Sequence, residues 1–169
     1  MDETVRASLL RKAGSLLARR AFSRGEMRDR LSPLGGDAEV DAALAVLEQR
    51  NLLNDAEYAY NFALRRCGDE GWSPGRVRHE LERRRVAPAE VDRALERVRS
   101  ELGGGAPVLA RYLRKRFGSR PLPADAKGVR RLILHLGRRG FEMQDILRAL
   151  RGEVPAAVLQ RFETGECID

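Results

Sequence analysis

The sequence predicts an all-α protein, an elongated array of three tandem three-helix repeats. Three observations carry that prediction. Apolar residues (43%) and charged residues (34%) are both plentiful while aromatics are scarce (5%), which suits helices with one buried stripe and one wet face. Apolar side chains recur at helical spacing along most of the chain. The chain also repeats itself: AEVDAALAVL (Ala38–Leu47) returns as AEVDRALERV (Ala89–Val98), and LERRRVAPAEVDRAL (Leu81–Leu95) returns as LGRRGFEMQDILRAL (Leu136–Leu150). A period of about 50 residues indicates a stacked repeat architecture.

The first repeat covers residues 5–51. Val5, Leu9, Ala13, Leu16 and Leu17 form the stripe of its first helix. Ser23 caps the second, with Glu26 placed to complete a capping box and Phe22 and Met27 placed as a hydrophobic staple. SPLGGD (Ser32–Asp37) breaks the chain before a third helix bearing Val40, Leu44 and Leu47.

The second repeat covers residues 52–102. Asn54 is placed to cap a helix carrying Tyr58 and Phe62. Ser73 caps the next, with Pro74 at the favoured first position. Trp72 and Val77 repeat the staple, which gives the lone Trp a packing role. Val91, Leu95, Val98 and Leu102 stripe the third helix.

LGGGAP (Leu102–Pro107) reads as a spacer and the best hinge candidate, before a third repeat at residues 106–151. Leu109, Tyr112, Leu113 and Phe117 mark its first helix. GSRPLPAD (Gly118–Asp125) is a loop ending on the cap Asp125, followed by stripes at Val129/Leu132/Ile133/Leu136 and Met143/Ile146/Leu147/Leu150. Residues 152–169 form an acidic tail with a short amphipathic piece at 155–162. Short helices of this kind bury their stripes against neighbours.

The net charge of +7 is uneven. Residues 106–151 hold 12 Lys/Arg against 3 Asp/Glu, while residues 1–105 are nearly balanced. A basic third points to an anionic partner. There is no phosphate-binding glycine loop. The two histidines, His79 and His135, lack clustered ligands, so no metal or cofactor is expected. Glu39/Asp41 and Glu90/Asp92 stand two apart on helices and point away from each other. No nucleophile–base pair is legible, and catalysis is not expected. No apolar run reaches the roughly 18 residues a membrane helix needs. The acidic MDETVRASLL start has no leader-like apolar core, and Cys67 and Cys167 have no local partner motif, which suits a reducing cytoplasm.

The candidate contact residues are therefore cations. Arg83, Arg84 and Arg85 occupy the same helix end in the second repeat as Arg138 and Arg139 in the third. One cation there complements the helix dipole; three in a row exceed that need. Arg111, Arg114, Lys115, Arg116 and Arg120 lie within ten residues without an acid, and Arg130 and Arg131 extend the basic surface.

LLARRAFSRGEMRDRL, LNDAEYAYNFALRR, GWSPGRVRHELERRRV and GVRRLILHLGRRGFEMQDILRAL together resemble the RecX family of recombinase regulators. The most specific match is Leu53-Asn54-Asp55-x-x-Tyr58-Ala59, then Gly71-x-x-Pro74 followed by Val77 and Leu81. The resemblance covers about residues 5–151. It implies a bacterial cytoplasmic monomer that binds the RecA protein and its filament on single-stranded DNA. That binding would limit filament extension, ATP hydrolysis and strand exchange in DNA repair and recombination. It leaves room for weak direct DNA binding and brings no catalytic residues. One departure stands out. The family often has glycine before the apolar residue that ends the middle helix; Gly140 keeps it, but Arg85 does not. The turn of the second repeat is therefore expected to differ, because a left-handed arginine costs about 1 kcal/mol. The alternative reading is a helical DNA- or RNA-binding protein without a recombinase partner; a neutral scaffold is a third.

Overall fold

The computed structural model describes residues 3–164. Among these, ten α-helices follow one another: α1 Glu3–Leu17, α2 Arg24–Leu31, α3 Asp37–Gln49, α4 Asp55–Leu64, α5 Pro74–Arg83, α6 Pro88–Glu101, α7 Gly105–Phe117, α8 Ala126–Arg138, α9 Met143–Leu150 and α10 Ala156–Glu163. Beyond these, a 3-10 turn at Ser32–Leu34 and a π-helical turn at Arg65–Asp69 are helical, and the described residues contain no strand. The all-α expectation holds. Cys167 and the last acids of the tail lie outside the described residues.

The helix starts follow the local code. Ser23 Oγ accepts the Glu26 N–H at 3.0 Å and the Glu26 carboxylate accepts the Ser23 N–H at 3.2 Å, a complete capping box. Asn54 accepts the Glu57 N–H at 3.1 Å. Ser73 accepts the Arg76 N–H at 3.1 Å, and Asp125 accepts the Gly128 N–H at 2.8 Å. Each bond satisfies a donor that the first helical turn leaves without a partner.

The chain gathers into two compact units. The first runs to Phe62 and includes Glu80–Ala94; the second takes Ala63–His79 and the chain from Leu95 onward. In the first, α1, α2 and α3 enclose Leu9, Ala13, Met27, Leu31, Val40 and Leu44, each fully buried. In the second, α7, α8 and α9 bury Leu109, Ile133, Leu136, Ile146 and Leu150 completely. Cys67 is buried there too, and burial pushes its thiol up to about 11, so it is an inert packing thiol.

Two expectations are corrected. The turn at Arg85 does not differ from its counterpart. Arg85 adopts φ +57° and Gly140 φ +86°. Val86 N–H reaches the Leu81 carbonyl at 3.1 Å as Phe141 N–H reaches that of Leu136 at 3.2 Å. Val86 and Phe141 are both buried and anchor the turn, so packing overrides the intrinsic preference of arginine. The second correction concerns LGGGAP. Gly103 and Gly104 have positive φ and do form a link, but Gly105 is the buried first residue of α7. A Cβ there would collide with the carboxylate of Asp145, itself only 4% exposed. A carboxylate against a helix start is electrostatically favourable.

Candidate functional site

Within the first unit, the start of α2 meets the turn after α5. Ser23 Oγ, already a cap, donates its proton to the Arg84 carbonyl. Gly25 lies against Arg85 so closely that a Cβ would overlap the arginine. The Arg24 N–H is received by Asp55 at 2.7 Å; burial holds the Asp55 carboxyl above its usual range. The Arg84 guanidinium folds back over this contact. It bonds Glu80 at 2.9 Å, Tyr58 Oη at 3.0 Å and Glu26 at 3.3 Å, and its side chain is 25% exposed. Tyr58 in turn donates to Glu26 at 3.1 Å, and Arg20 adds a two-pronged bond to the same carboxylate. Burial works to raise the Glu26 and Glu80 carboxyls. It is outweighed by the hydrogen bonds and charge of Arg20 at Glu26 and of Arg83 and Arg84 at Glu80, so both groups sit below the ordinary range.

A matching joint lies within the second unit, where the start of α5 meets the turn after α8. Ser73 Oγ donates to the Arg139 carbonyl. Gly75 lies against Gly140, its N–H 3.3 Å from the Gly140 oxygen, and a Cβ on Gly75 would stand 2.9 Å from the Gly140 Cα. Pro74, having no N–H, needs no equivalent of Asp55. The frame is the same, but the side chains around it are not. Where the first joint has Glu26, the second has Arg76, laid over the Trp72 ring at 3.5 Å. Where the first has Glu80, the second has His135, its Nε2 3.2 Å from Tyr112 Oη. Arg139, the counterpart of Arg84, lies over the Tyr112 ring at 6.0 Å. Among the described residues, neither Arg76 nor Arg139 pairs with a carboxylate. A cavity of about 100 Å³ opens between them, lined also by Glu70, Trp72, Tyr112 and Phe141.

The other candidate cations sort by position. Arg83 is 77% exposed and paired with Glu80; Arg85 is 66% exposed and paired with Asp29. Arg111 and Lys115 of α7 turn toward the π-helical end of the second unit. Arg111 donates to the Gly68 carbonyl at 3.0 Å and Lys115 to that of Asp69, supplying partners to carbonyls that a helix end leaves unbonded. Burial first, and then the charges of exposed Arg116, Arg139 and Arg138, hold the His135 imidazole below its ordinary range. Arg114 and Arg120 line a separate hollow of about 340 Å³ with Phe117 and Leu122. Arg130 and Arg131 are exposed on α8.

The arrangement brings together Arg116, Arg138 and Arg139 around one Tyr–His pair and sets Arg111 and Lys115 to structural work. Sequence reasoning missed the role of Arg76 and Tyr112. The signal was present: each breaks or keeps a residue of the first joint at the matching place of the repeat. The described residues contain no group of three His, Cys, Asp or Glu arranged for a metal, and no helix long and apolar enough to cross a membrane.

The caps and the two matching joints define an all-helical repeat protein. Comparison with known proteins gives the family. A model of the second three-helix domain of RecX matches residues 54–95. The protein named Regulatory protein RecX of Pseudomonas putida strain F1 is 35% identical over 146 residues, 86% of this chain and 90% of that protein. Its namesake from Pseudomonas fluorescens strain SBW25 is 34% identical over 143 residues, 84% of this chain and 89% of that one. The crystal structure of RecX from Lactobacillus salivarius superposes with a TM-score of 0.72 at 16% identity, covering 95% of this chain and 98% of that one. The chain belongs to the RecX family.

The match at 54–95 takes in the Asn54-Asp55-x-x-Tyr58-Ala59 stretch, and the structure gives its physical meaning. Asn54 caps α4, Asp55 receives the Arg24 N–H, Tyr58 joins Glu26 to Arg84, and Leu53 and Ala59 are buried. The most specific motif of the sequence builds a joint.

Proposed function

We propose that this chain is a non-enzymatic, cytoplasmic, monomeric regulator of the RecA recombinase, built of three three-helix repeats. It binds the RecA filament on single-stranded DNA and limits filament extension, ATP hydrolysis and strand exchange. The observation that carries the reading is the cluster of exposed Arg116, Arg138 and Arg139 about Tyr112 and His135, in a chain of this family. Cationic contacts to such a filament are salt-sensitive, more steeply so where phosphates are neutralised. Arg83, Arg85, Arg114, Arg120, Arg130 and Arg131 supply further charge on exposed positions.

The test is the double reversal R116E/R138E, which spares the two cations that hold the π-helical end. It is assayed for binding to RecA-coated single-stranded DNA and for inhibition of filament ATP hydrolysis. The expected result is at least a tenfold loss of both with an unchanged helical spectrum. Unchanged inhibition would remove these residues from the interface. Tighter binding of the parent chain to bare than to coated DNA at matched salt would favour direct nucleic-acid binding instead.

A further inference from the structure

The second joint is an unfilled copy of the first. In the first unit a carboxylate, Glu26, sits between an arginine and a tyrosine hydroxyl, at 3.3 Å and 3.1 Å, and a second carboxylate, Glu80, holds the far side of the same arginine. In the second unit the counterpart arginine and tyrosine are kept, as Arg139 and Tyr112, while both acids are replaced by bases, Arg76 and His135. The one acid on the rim, Glu70, is turned to Arg66 and Arg65. Two guanidiniums thus face a cavity of about 100 Å³ with no anion of the chain between them, among the described residues. That space suits a carboxylate head: planar, bidentate recognition by arginine with a phenol beside it.

We propose that this cavity is a receptor for an acidic side chain, Asp or Glu, presented by a protein partner, which supplies in trans the carboxylate that Glu26 supplies in cis. The chain itself argues for a carboxylate over a phosphate, since a carboxylate is what the same frame encloses in the first joint. The proposal goes beyond the regulatory reading and is tested without a recombinase, so either can fail alone.

Trp72, the only tryptophan of the chain, lines the cavity with Arg76 stacked on it, and its fluorescence reports occupancy. The full chain is titrated with hexaglutamate, a thymidine hexanucleotide and inorganic phosphate. Hexaglutamate is expected to give a saturable change in Trp72 emission. The variant R76E restores the carboxylate of the first joint and completes a capping box with Ser73. It is expected to melt no lower than the parent while binding hexaglutamate at least tenfold more weakly. R30E, which changes net charge equally on the first unit, is expected to stay within twofold. R139Q is expected to weaken binding at least fivefold. No saturable response to hexaglutamate, or an equal response from R76E, would overturn the proposal. So would tighter binding of the hexanucleotide or of phosphate, which would make the cavity a phosphate site.

Discussion

The joint at Ser23 and Arg84 and the joint at Ser73 and Arg139 share a backbone plan and differ in charge. In both, a capping serine spends its oxygen on a helix start and its proton on a distant carbonyl. In both, a glycine lets two backbones touch beside a left-handed turn. Around the first, Arg20, Glu26, Tyr58, Glu80 and Arg84 satisfy one another. Around the second, bases stand in place of Glu26 and Glu80, the arginine and tyrosine remain, and the one acid on the rim, Glu70, is turned to Arg65 and Arg66. The difference teaches that the frame is held by hydroxyl, glycine and buried apolar groups. The charges above it are free to be either clasp or contact surface.

That contrast can be broken most forcefully at the glycines. G75A places a methyl against the Gly140 backbone, which cannot move aside as a side chain can. The expected loss is about 2–3 kcal/mol, read from denaturant unfolding. The serines come next. S23A and S73A each remove a cap and leave a carbonyl without its donor, for about 2 kcal/mol apiece. Equal losses would show that the two frames are energetically alike.

Removing the arginine separates the joints. R84A strips Glu80 and Tyr58 of a shared partner and should cost about 1–2 kcal/mol, whereas R139A should change stability by less than about 0.5 kcal/mol. Equal effects would refute the distinction between clasp and surface. A smaller effect is expected at R85G. It relieves a left-handed arginine but gives up a solvent-exposed pair with Asp29, for a net gain below about 1 kcal/mol in melting experiments.

Acid sharpens the same contrast. Glu26 and Glu80 titrate below their unfolded values. Their contribution is therefore complete above the ordinary glutamate range, near about pH 4.3, and is lost as pH falls through the lower folded values. A pH series should show E26Q flattening this acid loss. His135 also titrates low in the fold, so its neutral form favours folding and stability drops as pH falls below about 6.5. An acidic ligand bound at Arg139 should raise the His135 midpoint, measured by NMR.

The helices were legible because their caps and stripes are local. Ser23, Asn54, Ser73 and Asp125 each announce a start within three residues, and the structure places a bond at each. The repeat itself was legible as similarity between segments. The joints were not, because they depend on partners 61 and 66 residues away and show only as motif residues of unexplained purpose. Two candidate cations, Arg111 and Lys115, read as surface charge because the π-helical carbonyls they serve leave no mark in composition. Arg85 misled for the opposite reason: a local preference was clear, and a buried valine overruled it. Asp145, a buried acid set on Gly105, was missed because an Asp in a first turn looks like ordinary helix chemistry.

The serine bridges have a consequence for the way the chain is made. When α2 leaves the ribosome its own cap is complete, but the carbonyl that takes the Ser23 proton has not yet been synthesised; the same holds for Ser73 and Arg139. Each helix can therefore form early and reversibly, while the long-range closures wait for translation to supply their second halves. A nascent chain stopped before Arg84 should display α1, α2 and α3 packed on their shared core with the start of α2 still open to proteases, and protection there should arrive only once the turn at Arg84 emerges.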